Sequence, residues 1–597
     1  MAGASTTQGV LDPSGDITSR YALDHYFNEL WATMSTWKDL WRELADYIMP
    51  TRSRFLMSDA NKGNRHNSLI LDGTAKRALN NAKAGLLAGM ASPSRPWFNL
   101  STGDKDKDRN PSVSEWLEDS RNRAMGYMEG ANYYGSLGEQ LVDEMVFGTG
   151  AKIILADPGS KMFRTVTFPI GSYSIAQNSH GIVDTFAREF SQTVRQIVQE
   201  YGYDNAPDSV QKDWDNRSYE TPYEVRWMIY PNPEANEQRA EVDSRYLPFR
   251  EVHWISQGGD QHATDVDRWA SGAIDSAGQS GVLKVSGFHE FPVSVGRWDK
   301  NDDDVFATSC PGMDAKGDIK TLQTQARDLW NAIKKKINPP LKAGPSVRNK
   351  PVSMMPGKVN IQNETSNNAG LGSLHETNLD IDHLRQAKAE VRDAVKEHFM
   401  EPIFLMLIGD SRSTPPTAEE VRARAREKLS ILGPILERQS DDIFDKDIDR
   451  IMNILIRRSM PFWALGLEGA PLMQPPEAMG EVALEVEYVS EVAQAQKQVG
   501  LAGLEQHVAF VGQLSAIVPQ TLDNMDWDEV VRLHAEMSGT PARVTRPYDE
   551  TAELRAVRAQ REAEAAKAEQ AAAGAAAAKD LSQADMGGDN ALTRLAA

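Results

Sequence analysis

Apolar residues recur along this chain with two periods, and the switches between them divide it. From Thr18 to Ile48 the positions Tyr26, Phe27, Leu30, Met34, Trp37, Leu40, Trp41, Leu44, Tyr47 and Ile48 fall on one helical face. Thr18 caps this expected long helix and Pro50 ends it. A second helix is expected at Thr74–Met90, capped by Asp72, with Ala75, Ala78, Ala82, Gly85 and Gly89 small enough for close packing. Two more are expected at Ser114–Met128 and at Ser136–Phe147, the latter with Ser136 as cap. After Gly148-Thr149-Gly150 the period falls to two. Ile153–Leu155, Thr165–Phe168, Tyr173–Ala176 and Thr185–Phe190 read as short strands in hairpins. A helix at Thr193–Tyr201 interrupts them, and Val225–Tyr230, Glu251–Ser256, Val282–Phe288 and Val293–Trp298 resume the strand pattern. Residues 18–300 thus predict an α+β domain, helices first and then a mostly antiparallel sheet.

The helical period then returns. Leu322, Ala326, Leu329, Ile333 and Ile337 stripe a helix over Asp318–Ile337, which Asn338-Pro339-Pro340 stops. A partner helix starts near Asp380 or Asp382 and carries Leu384, Ala387, Val391, Val395 and Phe399. The Pro-, Gly- and Asn-rich stretch between them is long for a loop in a compact domain, and such loops tend to be functional. Thr417 caps a further long helix through Leu455, bent at Gly433-Pro434. Pro461, Pro471, Pro475 and Pro476 mark a loop, and residues 477–538 predict more amphipathic helices, broken at Pro519. Thr551–Asp580 favours helix but has almost no large apolar residue to bury, which predicts a mobile or loosely helical tail. Residues 1–17 are expected to be disordered. The expected fold class is α+β, predominantly helical.

Composition narrows the function. With 597 residues the chain has room for several domains. Its formal net charge of −20 argues against a protein that coats nucleic acid, though not against one that encloses DNA while barely holding it. Cys310 is the single cysteine, so no intramolecular disulfide can form, and a buried, inert thiol is expected. No signal-peptide pattern and no apolar run of membrane-spanning length occur, so no membrane partner is expected. Phosphate-loop, zinc-protease and nucleophile-elbow motifs are absent, and no catalytic residue, metal ligand or cofactor is assigned. Asp445-Lys446-Asp447-Ile448-Asp449 begins like a calcium loop, but Arg450 stands where Gly is needed and Ile456 where the closing Glu belongs. A helix is the better reading there. Asp302-Asp303-Asp304 reads as a solvated turn.

One charge feature stands out. Residues 311–360 carry ten lysines and arginines, among them Lys334, Lys335, Lys336, Arg348 and Lys350, against Asp314, Asp318 and Asp328. Lys334–Lys336 suit the negative end of a helix dipole, which leaves the excess in the loop unexplained. An acidic partner protein and nucleic acid fit this basic island equally well.

Four stretches, in order, resemble the portal, or head–tail connector, proteins of short-tailed bacteriophages. They are Trp41–Arg52; Leu86–Met90 leading to Pro96–Leu100; Phe291-Pro292-Val293 with Arg297-Trp298, Pro311-Gly312 and Asp318–Leu322; and Thr417–Val421 with Glu427-Lys428 and Leu432-Gly433-Pro434. The resemblance covers roughly residues 20–460 and implies a non-enzymatic ring, usually of twelve subunits, at one capsid vertex of the virion, assembled in the host cytoplasm. It implies a wing at 18–310, stem helices within 311–337 and 380–408, and a clip at 338–379. A channel loop would follow at 409–416, then a long bent helix and wing return at 417–476, a crown at 477–550 and a mobile tail at 551–597. The implied partners are the terminase motor, then tail adaptor proteins, with major capsid and scaffolding proteins and double-stranded DNA passing through the channel. On this reading Lys334–Lys336, Arg348 and Lys350 serve the clip end, Arg412 forms a circle of charge in the channel, and Trp330 is either an intersubunit contact or a core residue within the subunit. Each lysine–phosphate contact adds affinity through counterion release, so an acidic body with few basic levels suits a channel through which DNA must move. Two other classes stay open: a different ring or adaptor of the tail, and a hydrolase without a recognised motif.

Overall fold

The computed structural model describes residues 20–52, 68–108, 110–159, 161–256, 281–301, 304–337, 341–342, 372–373, 380–403, 433, 435, 437–480, 484–488, 491–515, 518–538 and 548–583. The fold is α+β and predominantly helical, as expected. Contacts divide it into two units. The first takes in Met1–Phe98, Arg121–Leu472 and Ser490–Val492, and the second Asn99–Ser120, Met473–Val489 and Ala493–Ala597.

The chain opens with α1 (Arg20–Ser35), α2 (Lys38–Ile48) and α3 (Thr74–Met90). The single helix expected up to Ile48 is in fact two. At the break Ser35 Oγ donates to Ala32 O at 2.7 Å and Thr36 Oγ1 to Thr33 O at 2.8 Å. Hydroxyls that bond back to the preceding turn compete with the helical ladder. Next come α4 (Pro111–Gly130) and α5 (Tyr133–Phe147). Helix α5 begins a turn earlier than expected: Asn132 holds the cap position at φ 60°, a conformation Asn tolerates. Ser136 is therefore inside the helix, buried, and bonded to Thr165 Oγ1 at 3.0 Å.

Two antiparallel sheets follow. The strands β1 (Thr149–Ala156), β2 (Phe163–Phe168), β3 (Tyr173–Gln177), β4 (Val183–Thr193), β5 (Pro222–Pro231), β6 (Phe249–Ile255), β7 (Val282–Phe288) and β8 (Val293–Arg297) lie close to the expected segments. They pair as β2-β1-β8 and as β3-β4-β5-β6-β7. Helix α6 (Val194–Tyr201) starts at a capping box formed by Thr193 and Gln196. Helix α7 (Asp208–Asp215), opened by Pro207, was not anticipated.

Strand alternation sends the two faces of the larger sheet to different tasks. One face places Ala187, Met228, Val252 and Trp254 against Leu23, Phe27 and Leu30 of α1. On the other, α6 and α7 cover Val225, Ile255 and Leu283 at one end. That same face carries the cross-strand row Arg188, Trp227, His253 and Lys284.

The long helices come last. These are α8 (Lys316–Ile337), α9 (Ile381–His398) and α10 (Asp445–Leu465) in the first unit, then α11 (Glu491–Ser515), α12 (Trp527–Ser538) and α13 (Tyr548–Gln583). Pro461 lies inside α10, not in a loop. Its fixed φ fits a helix, and Trp463 Nε1 ties the last turn to Leu472 O at 3.0 Å. The helix stops at Gly466, in the left-handed region. Of the expected bend at Gly433-Pro434, Pro434 and the helix upstream lie outside the described residues. In the second unit, Arg555 makes two 2.6 Å bonds to Asp528, and Trp116 Nε1 donates to Met473 O at 2.8 Å.

Helix α5 is buried on nearly every side, including Gln140, Asp143 and Glu144. Over it, Lys152 of β1 donates to Gln140 Oε1 at 2.9 Å and forms an ion pair with Asp447 of α10. Asp447 also accepts from Tyr133 Oη at 2.7 Å, so the calcium-like stretch is helical and its central carboxylate is occupied. Burial draws the Lys152 ammonium down while Asp447 holds it charged. We expect Lys152→Met to cost roughly 3–5 kcal/mol, since it leaves a buried carboxylate without its counter-ion, and Lys152→Met/Asp447→Leu to recover most of that loss. Urea unfolding of the two variants checks both numbers.

Candidate functional site: the long helix pair and its anchor

Helices α8 and α9 lie against each other, antiparallel: Asp318, near the start of one, is 3.0 Å from His398 Nε2, at the end of the other. Beyond their far ends a short antiparallel ladder pairs Leu341 with Ser373 and Lys342 with Gly372. The pair therefore has a root, at Lys316 and His398, and a tip, at Ile337 and Ile381.

The root is bound by polar contacts to α2 and to the start of α3. Gln323, buried on α8, accepts from the backbone N–H groups of Leu71 (2.7 Å) and Asp72 (2.8 Å) and donates to Asp72 O (2.9 Å). These bonds seat the start of α3 on α8. Asp72 in turn receives Thr74 N (3.0 Å) and Thr74 Oγ1 (2.6 Å) on one oxygen. Its other oxygen meets α9, through Arg392 Nη2 at 2.7 Å and Lys388 Nζ at 2.9 Å. Burial alone would raise the Asp72 carboxyl, but the bonds from Thr74, Lys388 and Arg392 outweigh it and hold the group well below the usual carboxylate range. Glu43 of α2 pairs with Lys316 (3.1 Å) and Lys320 of α8. Asn81 of α3 donates to Glu401 at 2.5 Å.

The tip is bare by comparison. The α8 stripe is buried at Leu322 and Ala326, half-buried at Leu329 and Ile333, and exposed at Ile337. On α9, Val395 and Phe399 are buried but Leu384 is exposed. Trp330 is 61% exposed in the single chain. Lys334, Lys335 and Lys336 are exposed in the last turn of α8, where the helix dipole favours cations. Arg348, Lys350 and Arg412 lie outside the described residues, as do most of 338–379 and all of 409–416. Lys388, Arg392 and Gln323 were not singled out from the sequence, and Asp72 was read only as a cap; nothing local ties residues so far apart. Cys310 is buried, its Sγ–H donates to Val146 O at 3.3 Å, and burial pushes its thiol up to about 12, which makes it inert. Among the described residues no group of three or more His, Cys, Asp or Glu could hold a metal, and no helix is long and apolar enough to cross a membrane.

Comparison with known proteins gives this architecture its class. The family described as bacteriophage head to tail connecting protein matches residues 20–545. The chain belongs to that family, whose members are structural components at the head–tail junction of the virion. It is 36% identical over 557 residues to the portal protein of Salmonella phage epsilon15, covering 93% of this chain and 94% of the relative. To a probable portal protein of Bordetella phage BPP-1 it is 31% identical over 576 residues, covering 96% and 98%. A chain from the virion of a native gene transfer agent particle aligns over 76% of this chain and 98% of that one, at 11% identity and a TM-score of 0.28, too slight a likeness to argue from. The resemblance carried by the four sequence stretches is thus borne out.

Replacing Asp72 tests the anchor. Asp72→Ala strands two cations at the root, and a loss of about 3 kcal/mol is expected. A depressed carboxyl stabilises the fold fully above its ordinary pKa of about 4 and loses that contribution as pH falls further. The gap in thermal midpoint between wild type and Asp72→Asn should therefore be widest near neutrality and shrink below about pH 4.

Proposed function

We propose that this chain assembles into a portal ring, usually of twelve subunits in this family, at one vertex of the capsid. Its axial opening is the passage for double-stranded DNA during packaging and ejection. The near-full-length match to the portal protein of Salmonella phage epsilon15 carries this reading. In it, 18–310 is the wing and 417–476 the wing return. Helices α8 and α9, within 311–337 and 380–408, form the stem, and 338–379 the clip. Residues 409–416 make the channel loop, 477–550 the crown and 551–597 a tail. The clip takes the terminase motor first and tail adaptor proteins later, while capsid and scaffolding proteins meet the wing during assembly in the host cytoplasm. Lys334–Lys336, Arg348 and Lys350 act at the clip end, and Arg412 faces the channel.

The gradient along α8 and α9 supports the stem assignment. A root fixed by Asp72, Gln323 and Glu43 to the body of its own subunit, with apolar residues bare toward the tip, is what a helix pair needs if neighbouring copies complete its packing. Trp330 is then an intersubunit contact.

Electron microscopy of the purified chain should show rings with an axial hole; monomers or tubes would overturn the reading. Changing Lys334, Lys335 and Lys336 to Glu should leave rings intact but lower DNA packaging at least tenfold in an in vitro packaging assay. Unchanged packaging would remove these lysines from the docking end. Trp330→Ala should shift the sedimentation profile from rings toward free subunits, with little change in the circular dichroism of the subunit.

A further inference from the structure

A cavity of about 950 Å³ opens between the two sheets and α10, wholly within the first unit. Its wall is both apolar and basic. Phe168, Phe190, Ile454 and Phe462 supply the apolar part, and arginines from β2, β4 and α10 the basic part.

Each carboxylate at this site is already occupied. Glu251 accepts from Trp227 Nε1 (3.1 Å), Lys284 Nζ (2.9 Å) and Ser286 Oγ, and lies 3.1 Å from His253 Nε2. Glu290, beside the cavity, holds Arg450 and Arg457 at 2.6 Å each. Glu200 accepts from Gln192 Nε2 at 2.8 Å. Arg458 is turned to the carbonyls of Asp157 (2.5 Å) and Pro158 (3.4 Å).

Arg188 is different. Its guanidinium lies 4.6 Å from the ring centre of Phe168 and 4.8 Å from that of Phe190. Its Nε is buried and has no hydrogen-bond partner among the described residues. Burial alone lowers its pKa, to about 10, with no carboxylate opposing the shift. A guanidinium held by two rings and lacking an anion is preorganised to receive one, because its planar fork matches a carboxylate. Arg164, exposed on the cavity face of β2, adds a second cation within the same wall.

We propose that this cavity is a docking socket for an acidic segment of a partner protein, in which a carboxylate sits beside an aromatic or branched apolar side chain. The carboxylate meets Arg188 and Arg164, and the apolar side chain lies against Phe190, Ile454 and Phe462. Charge complementarity selects the acidic group. The apolar wall selects a peptide over nucleic acid, whose phosphates would leave it unused. The socket is separate from the helix pair and does not depend on the stem assignment.

The probe is a fluorescently labelled pentapeptide with aspartate, phenylalanine and glutamate at its centre, titrated with the full chain and read by anisotropy. Saturable binding is expected. It should weaken at least tenfold in Arg188→Gln, in Arg164→Glu, and when serine replaces the phenylalanine, and stay unchanged in Lys76→Glu, at an exposed lysine of α3 that does not line the cavity. Thermal unfolding checks that each variant is folded; Arg164, being exposed, keeps the test valid if Arg188→Gln does not fold. The proposal is overturned by the absence of saturable binding, by equal binding of a peptide with lysines for the acids, or by folded Arg188 and Arg164 variants that bind like wild type. Displacement by inorganic phosphate at equal concentration would also overturn it, because it would mark a simple anion site.

Discussion

A helix with little of its surface left in water must find partners for its polar groups inside the protein, and α5, exposed only at Gly135 and Glu139, is in that position. Its last carbonyls are claimed by side chains from elsewhere: Phe147 O by Trp41 Nε1 at 3.2 Å, and Val146 O by the Cys310 thiol. Gly312 lets the start of the long-helix region pass this helix end, for a Cβ there would lie 2.5 Å from Val146 O. Gly296 does the same for β8 against Glu144, whose carboxyl is pushed well above the ordinary range by burial. Arg52, from the end of the first motif, reaches buried Asp143 at 3.2 Å. Residues of the first and third family stretches, Trp41, Arg52 and Gly312 among them, thus share a position around one buried helix. That gives their order and spacing a physical reason.

Outward from α5 the structure changes character by steps. Near it, the charged contacts are buried, as with Lys152 and Asp447. At the root of α8 and α9 they become ionic and half-exposed, as with Glu43 and the two lysines it holds. Toward the tip they fall away within the single chain. The helix pair is thus tied by ion pairs where it joins its own chain and bare toward its other end.

The sequence made periodic elements legible, because period depends only on neighbours. Thr74–Met90 and Val282–Phe288 fall where the pattern puts them. It misled where a local signal was overridden by distant contact. Ser136 looks like a cap and is a buried bond to Thr165; Pro461 looks like a stop and lies in a helix whose last turn is pinned by Leu472. The anchor was legible only in part. Asp72 can be read as a helix start, yet its larger role depends on Lys388 and Arg392, some three hundred residues on. Arg188 gave no signal at all: in a strand it is an ordinary alternating polar residue, and only the absence of a carboxylate partner among the described residues sets it apart.

The helix pair held by Asp72 has one more consequence. At 1.5 Å per residue, the 22 residues of α8 span roughly 33 Å. The ion pairs of Glu43 lie at one end of that length, while those of Asp72 hold α9 at Lys388 and Arg392. The pair is a lever with its fulcrum at the root: turning α8 by about ten degrees there carries its last lysines roughly 6 Å sideways. A small repacking at a few carboxylates near the root is thereby magnified into a displacement of that size at the far end of the pair.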